Sequence, residues 1–454
     1  LDPTPGAPNT TEGRPGYAPT VRASPEGQMA ASGFISVTFN TEVGAPEIRY
    51  TTDCTEPNEL DLQVTGPVVA LSSAPDATVF RARAFQDGLW PGPICTNTYI
   101  IGTGPVGDLP VFSLVTEPDN LWDWETGIHV LGPNAGSAPW YIGANFWNDW
   151  EKPLHAEFFE TDGEREVSMD LGTKIHGNYS RTNPQKSLRL IARGGYGTDS
   201  IKHPFFDDVA TDDFKVLLLR NSGNDYLVAN CRDPLIHLAS AGTDIDDMAY
   251  RPTLVYLNGE YWGFMGIRER NDENYLANHH DVDPDGVDVL EFGGNAVEGT
   301  SDHYYEMLDY AVQNDLADDA HFAVVASMMD THNYAKYVAH QVWACNTDWP
   351  QNNIKFWRPR RANGRWRWLL YDTDFGLGFW GGPYTTNSLS RLFNPNEWYT
   401  QLFVQLMDNQ GFEDEFICVY ADLLNTAQSP QELLPVVDEV EDALIQDMQN
   451  HLSK

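Results

Sequence analysis

Asn346-Thr-Asp-Trp-Pro-Gln-Asn-Asn353 and, one hairpin later, Asp372-Thr-Asp-Phe-Gly376 decide how this chain is read. The stretch before them, 333–346, places Tyr334, Tyr337, Val338, Val342 and Cys345 on one face of a helix. Pro350 disfavours helical geometry at Trp349, so the segment carrying Asp348 leaves the helix as a loop. Ile354-Lys-Phe-Trp-Arg358 then alternates at strand period, and Asn363-Gly364 predicts a chain reversal. The returning strand, 365–371, carries Trp366, Trp368 and Leu370 on one face and delivers the second acidic loop. The predicted order is helix, Asp-x4-Asn loop, hairpin, strand, Asp-rich loop.

That order suits phosphoryl transfer. The reaction asks for a carboxylate beside the attacking hydroxyl and oxygen ligands that hold a metal against phosphates. Asp348 is the candidate base. Asn353, Asp372 and Asp374 are candidate metal ligands, because Mg2+ takes carboxylate and amide oxygens and completes its shell with water. Asp-Phe-Gly and Asp-x4-Asn each recur by chance; the two together in this order carry the expectation.

Three further blocks lie N-terminal to this region. They are Lys174-Ile-His-Gly-Asn-Tyr-Ser-Arg-Thr-Asn-Pro-Gln-Lys-Ser187, Leu219-Arg-Asn-Ser-Gly-Asn-Asp225 and Val255-Tyr-Leu-Asn-Gly-Glu-Tyr-Trp-Gly-Phe-Met-Gly-Ile-Arg-Glu269. With Asn346–Asn353 and Tyr371–Asp374 they make residues 110–454 resemble the CotH family, the spore-coat atypical protein kinases. The resemblance implies ATP and Mg2+ (or Mn2+) as cofactors, and transfer to Ser or Thr of a coat or surface protein. It implies Asp348 as catalytic base, with Asn353 and one of Asp372 and Asp374 on the metal. Lys186, assisted by Arg181, would contact the nucleotide phosphates, with Asp225 or Asp233 as its acidic partner. Adenine would pair with backbone near Glu269, in the segment joining two lobes; the competing reading of Glu269 is a charge at the start of the helix that follows.

Moving outward, strand-like runs dominate 110–219 and helical patterns fall at 302–314, 317–347, 398–424 and 430–452. The expected fold class is α+β, a two-lobed atypical protein-kinase-like domain over 109–454. Residues 17–102 read as a small all-β sandwich, with strands at Phe34–Phe39, Glu47–Thr52 and Thr78–Phe85. Their Tyr-Thr-Thr-Asp (50–53), Phe80-Arg-Ala-Arg-Ala-Phe85 and Thr96-Asn-Thr-Tyr-Ile100 motifs are similar to the β-sandwich appended to chitobiase and other bacterial surface enzymes. A spacer role is expected for it, with glycan binding as the alternative. Residues 103–108 read as a Gly/Pro linker and 1–16 as a flexible leader, and the last helix reaches Lys454 without a stop signal, so the natural chain is expected to continue.

With 66 acidic and 28 basic side chains the net charge is −38, which repels nucleic-acid phosphates; it reads as solubility in salty surroundings, with attraction for a basic partner such as a Lys/Arg-rich, Ser-rich protein substrate as the alternative. No apolar run is long enough to span a membrane. The expected location is secreted or at a bacterial cell surface, where a Cys54–Cys95 bridge would persist. Asp281-Val-Asp-Pro-Asp-Gly286 imitates an EF-hand opening, but Pro284 and Phe292 break that pattern and leave a polar turn. The competing functional classes are a catalytically silent surface adhesin with a CotH fold and a glycan-associated accessory protein.

Overall fold

A computed structural model describes residues 14–71, 76–102, 109–379 and 386–452. The expected linker at 103–108 and nearly all of the expected leader lie outside them. No helix among the described residues is long and apolar enough to cross a membrane.

Strand alternation is realised first near the N-terminus. Phe34–Thr41 pairs with Val21–Ser24 and Val68–Leu71 in one sheet, and Thr78–Phe85 lies between Cys95–Ile101 and Glu47–Thr51 in a second. Val37 and Phe39 of the first sheet meet Phe80, Ala82 and Tyr99 of the second in one core. This is the packing that period-two alternation demands of half-buried strands. The two cysteines of this region are free: Cys54 packs with Val79 and Val115, while Cys95 lies at the edge of the Phe80–Tyr99 core. The expected Cys54–Cys95 bridge is therefore absent.

The next strands close into a barrel that sequence periodicity did not predict. Its order is Lys152–Phe159, Arg165–His176, Ser187–Ile191, Val216–Arg220, Glu260–Glu269, Tyr250–Leu257 and Val111–Val115. A parallel pairing of Val111–Val115 with Tyr250–Leu257 completes the circle. Phe112, Phe158, Ile175, Leu188, Leu219 and Ile267 fill the interior. The alternate residues Arg189, Arg220 and Arg268 therefore point outward, as pleating requires. Helix Pro430–Leu452 covers part of the outside, packing Val440 and Leu444 on Leu254, Tyr256 and Phe264.

The C-terminal half is helical around a four-stranded sheet that contains the Lys355–Pro359/Arg367–Leu369 hairpin. The Asn363-Gly364 reversal is present, inside a loop longer than a two-residue turn. Two expected long helices are each broken in two by capping side chains. Asp330 accepts from Asn333 N and starts Thr331–Trp343 after Asp319–Met328. Asn409 accepts from Phe412 N and starts Gln410–Asn425 after Gln401–Met407. Such caps supply partners for orphan N–H groups at a new helix start, and apolar periodicity does not register them. The molecule is thus mixed α and β, as expected. Asp283 accepts from Asp285 N in a short 3-10 turn, consistent with the polar-turn reading of that stretch.

Candidate functional site

Helix Thr331–Trp343 buries Tyr334, Tyr337, Val338 and Val342, so the loop that follows starts from a fixed point. Trp349 is anchored from below, its Nε1 donating to Tyr337 Oη at 2.8 Å. Asn346 Oδ1 accepts from Asp348 N at 3.2 Å, and the Asp348 Oδ2 atom accepts from the side-chain amides of Asn352 and Asn353, each at 3.0 Å. Both Cys345 and Asn353 have left-handed backbones, with φ of 50° and 53°. These turns fold the loop back on itself, so that Asp348 and Asn353 face each other. Burial raises the Asp348 carboxyl above its ordinary value; the Asn352 amide opposes this, and the negative charge of Asp372 adds to it.

The second loop is joined to the first by backbone. Thr347 N donates to Phe375 O at 3.3 Å and Leu377 N to Ala344 O at 2.8 Å. The hairpin makes the two loops neighbours, and these bonds fix their spacing.

The barrel and helix Arg232–Leu238 hold the second loop from behind. Asp233, in the first turn of that helix and buried, accepts from Thr373 N at 2.8 Å and from Thr373 Oγ1 at 3.0 Å. Arg268 Nη1 lies 2.6 Å from Asp233 Oδ2. Arg220, at the end of its barrel strand, bridges Asp233 at 3.7 Å and Asp372 Oδ1 at 2.9 Å. Burial alone would raise the Asp233 carboxyl, yet Arg268 and Arg220 hold it well below the usual range. Burial likewise works against the charge of Arg220, and Asp233, Asp372 and Asp374 outweigh it and push its pKa upward.

Asp374 is buried and points toward the turn after strand Val216–Arg220. Its Oδ2 accepts from Asn224 N at 2.7 Å and from Asn224 Nδ2 at 3.1 Å. Gly223 makes this approach feasible: its φ is 63°, and a Cβ there would stand 2.2 Å from Asp374 Oδ2. Burial first, and then the charge of Asp372, push the Asp374 carboxyl well above its ordinary value.

Lys186 reaches the same turn indirectly. Its Nζ donates to Arg181 O at 2.7 Å and Asn183 O at 2.9 Å, and Asn183 Nδ2 donates to Gly223 O at 3.3 Å. The ammonium also lies 4.3 Å from the centre of the Phe146 ring. Lys186 is buried, not a solvated strand end, and burial lowers its pKa to about 8. Neither expected acidic partner meets it: Asp225 pairs with Arg232, and Asp233 pairs with Arg220 and Arg268. Arg181 is turned onto Gly177 O and Phe146 O and stacks over Trp147.

Glu269 stands apart. It ends the strand that leaves the barrel, but its carboxylate accepts from His279 Nε2 at 2.8 Å and Ala249 N at 3.3 Å. None of its hydrogen bonds reaches Asp348, Asp372 or Asp374. Nor does it start the next helix, whose cap is Asp272, accepting from Asn274 N and Tyr275 N.

Asp348, Asn353, Asp372 and Asp374 are thus gathered at one place, with Lys186 linked to them through Asn183 and Gly223. Arg220, Thr373, Gly223 and Asn224 complete the site, although nothing in local pattern singled them out. Three of these, Arg220, Gly223 and Asn224, sit in the Leu219–Asp225 block, where the Ser-Gly-Asn turn after a strand was their available signal.

The donor set fits a hard divalent cation. Asp374 is buried and feels the charge of Asp372, two residues before it on the same loop, and Asn353 supplies a side-chain amide on the facing loop. Among the described residues no group of three or more His, Cys, Asp and Glu side chains forms a self-sufficient metal cage.

A family model described as CotH kinase protein matches residues 173–454, a span that includes Lys186, Arg220, Asp233, Asp348, Asn353, Asp372 and Asp374. No curated protein matches the chain.

Proposed function

We propose that this chain, which belongs to the CotH kinase protein family, is an ATP-dependent protein kinase whose site lies between the barrel and the helical half. The single observation that carries this reading is the bonding of the Asp348 loop to the Asp372–Asp374 loop, with the Arg220–Asp233 ion pair behind them. Two-lobed kinases need a strand lysine paired to a helix glutamate and a metal-binding aspartate in place together; Arg220, paired to Asp233 on the next helix and to Asp372, is similar to that arrangement without repeating it.

In this reading Asp348 accepts the proton of a Ser or Thr hydroxyl as its oxygen attacks the γ-phosphorus; the bond to the β-phosphate oxygen breaks and ADP leaves. A carboxyl raised above its ordinary range is better matched to proton acceptance near neutral pH. Asn353 with Asp372 and Asp374 would hold Mg2+ or Mn2+, which when bound neutralises phosphate charge. Arg220 aligns Asp372, and Asn224 aligns Asp374. Lys186 and Arg181 are assigned to the nucleotide phosphates and the Glu269 backbone to the adenine. The net charge of −38 favours a basic Ser-rich protein substrate. An extracytoplasmic or coat location is proposed from the resemblance of residues 17–102 to a domain of surface enzymes, with contact to surface glycan as the alternative role of those residues.

The test is phosphate transfer from radiolabelled ATP with Mg2+ or Mn2+ to the protein itself and to a basic Ser-rich acceptor. Asp348→Ala is expected to abolish labelling while leaving the melting temperature close to wild type. Equal labelling by both proteins would refute the kinase reading and favour a silent surface protein.

A further inference from the structure

The outer face of the barrel locally reverses the charge of the chain. Net charge is −38, yet Lys174, His176, Arg189, Arg220, Arg268 and Arg270 gather on or just past the neighbouring strands Arg165–His176, Ser187–Ile191, Val216–Arg220 and Glu260–Glu269. The register sets their spacing. Arg189 stands opposite Lys174 on one side and Leu218 on the other. His176 and Arg220 are therefore its diagonal neighbours on the same face, about 7–8 Å away between backbones. Arg220 reaches Asp372 Oδ1 at 2.9 Å, so Arg189 stands one side chain away from the second acidic loop. Tyr371 precedes Asp372 in that loop. Burial, with the charges of Glu291 and Asp372, raises its hydroxyl above the ordinary value, and Arg220 and Arg189 oppose the rise, so both guanidiniums act on this loop.

Most of these cations already have an acid. Lys174 meets Asp149 at 2.9 Å, Arg220 meets Asp372, Arg268 meets Asp233 at 2.6 Å and Arg270 meets Asp272 at 3.0 Å. Arg189 has none. Among the described residues it forms no ion pair, and its one side-chain hydrogen bond runs from Nε to His176 Nδ1 at 3.2 Å. The carboxylate whose charge it feels, Asp149, is held by Lys174. Both Nη groups of this half-buried side chain are thus left without a protein acceptor. The same bond fixes the imidazole: His176 Nδ1 accepts, so Nε2 carries the hydrogen of the neutral ring. Burial, and then the charges of Arg189, Arg220 and Arg270, hold His176 well below its ordinary value and keep it neutral. Lys186 and Arg181, by contrast, already donate to backbone carbonyls.

We propose that Arg189 and His176 seat the polyphosphate of the bound nucleotide against the outer face of the barrel. The inference rests on the kinase reading and deepens it. The free Nη groups of a guanidinium match two phosphate oxygens in one plane, and the imidazole adds an Nε2–H donor beside them. A polyphosphate supplies the counter-charge that Arg189 lacks. The links of Arg189 run to Tyr371 and, through Arg220, to Asp372. That loop is the one read as holding metal against phosphates, which favours the donor nucleotide over a phosphorylated protein as the occupant.

The experiment measures binding of ATP and of inorganic tripolyphosphate to the full chain by calorimetry with Mg2+ present, beside phosphate transfer to a basic Ser-rich acceptor. Arg189→Gln is expected to weaken both ligands about ten- to hundredfold, as loss of hydrogen bonds to a charged group does. Arg189→Lys keeps the charge and the stem but not the planar fork; it should recover part of that affinity, and it carries the test if Arg189→Gln lowers the melting temperature. Arg193→Gln makes the same charge change at an exposed position paired to Glu151 at 2.9 Å, and both affinities should stay within twofold of wild type. Equal ATP affinity in wild type and both Arg189 variants overturns the seat, and leaves the kinase reading standing if transfer persists. Binding of both ligands that depends on Arg189, with no transfer to any acceptor, supports the seat and removes the kinase reading. Tripolyphosphate bound through Arg189 with ATP ignored marks an anion site that is not the nucleotide's and overturns the assignment. Absence of binding by the wild type overturns both.

Discussion

Replacing Gly223 by alanine probes the tightest contact in the site. The residue has a φ of 63°, and the added methyl would stand 2.2 Å from Asp374 Oδ2 and 3.2 Å from Arg220 Nη2. Left-handed backbone costs an alanine about 1–2 kcal/mol relative to glycine. The carboxylate must also withdraw by roughly 1 Å to reach ordinary contact distance, which breaks its 2.7 Å bond from Asn224 N. Hydrogen bonds to charged groups contribute about 1.5–3 kcal/mol, so the total loss of stability should be roughly 2.5–5 kcal/mol. The catalytic loss should be larger than the stability loss suggests, because a displacement of about 1 Å in a positioned group lowers rate by about a hundredfold. Urea unfolding and initial-rate phosphate transfer, measured on one preparation at a temperature where the variant stays folded, give the two quantities. Gly195→Ala is the control: nothing lies within 4 Å of its Cβ position, and stability and rate should stay near wild type. A Gly223→Ala protein that transfers phosphate within threefold of wild type would refute the placement of Asp374 in the reaction.

Two other predictions follow from the same network. Thr373→Val keeps shape but removes the 3.0 Å bond from Oγ1 to Asp233; a destabilisation of about 1.5–3 kcal/mol is expected in urea, and a change below 0.5 kcal/mol would mean that the bond contributes little. For nucleotide-free enzyme, kcat/KM should be bell-shaped in pH: it rises as Asp348 ionises above the ordinary carboxylate range and falls as Lys186 loses its proton near pH 8. Stability responds to Lys186 with the opposite sign. The unfolded chain holds that proton up to its ordinary value near 10.5 and the folded chain only to about 8, so between those values the Lys186 contribution to stability increases with pH. A flat kcat/KM from pH 7 to 9 would remove Lys186 from nucleotide binding.

Much of this protein is written in local pattern. Alternation alone places the strands Phe34–Thr41, Glu47–Thr51 and Thr78–Phe85, because a half-buried strand must change face at every residue. The aromatic face of helix Thr331–Trp343, Pro350 and the hairpin were enough to put Asp348–Asn353 and Asp372–Asp374 on neighbouring loops. What sequence could not supply were relations across long separations. The barrel closes by pairing Val111–Val115 with Tyr250–Leu257, a contact that no local period encodes. Asp233 reads as a possible lysine partner, and only the folded chain sets it under Thr373 and between Arg220 and Arg268. Gly223 reads as a turn glycine until Asp374, far along the chain, is seen against it. Nor does local sequence show that the Glu269 carboxylate bonds His279 or that Lys186 is enclosed among carbonyl groups. The sequence by itself determined which residues could do phosphoryl chemistry and the local elements that carry them. Tertiary structure decided which of them share a charge environment, because desolvation and opposing charges act through space and take no account of chain order.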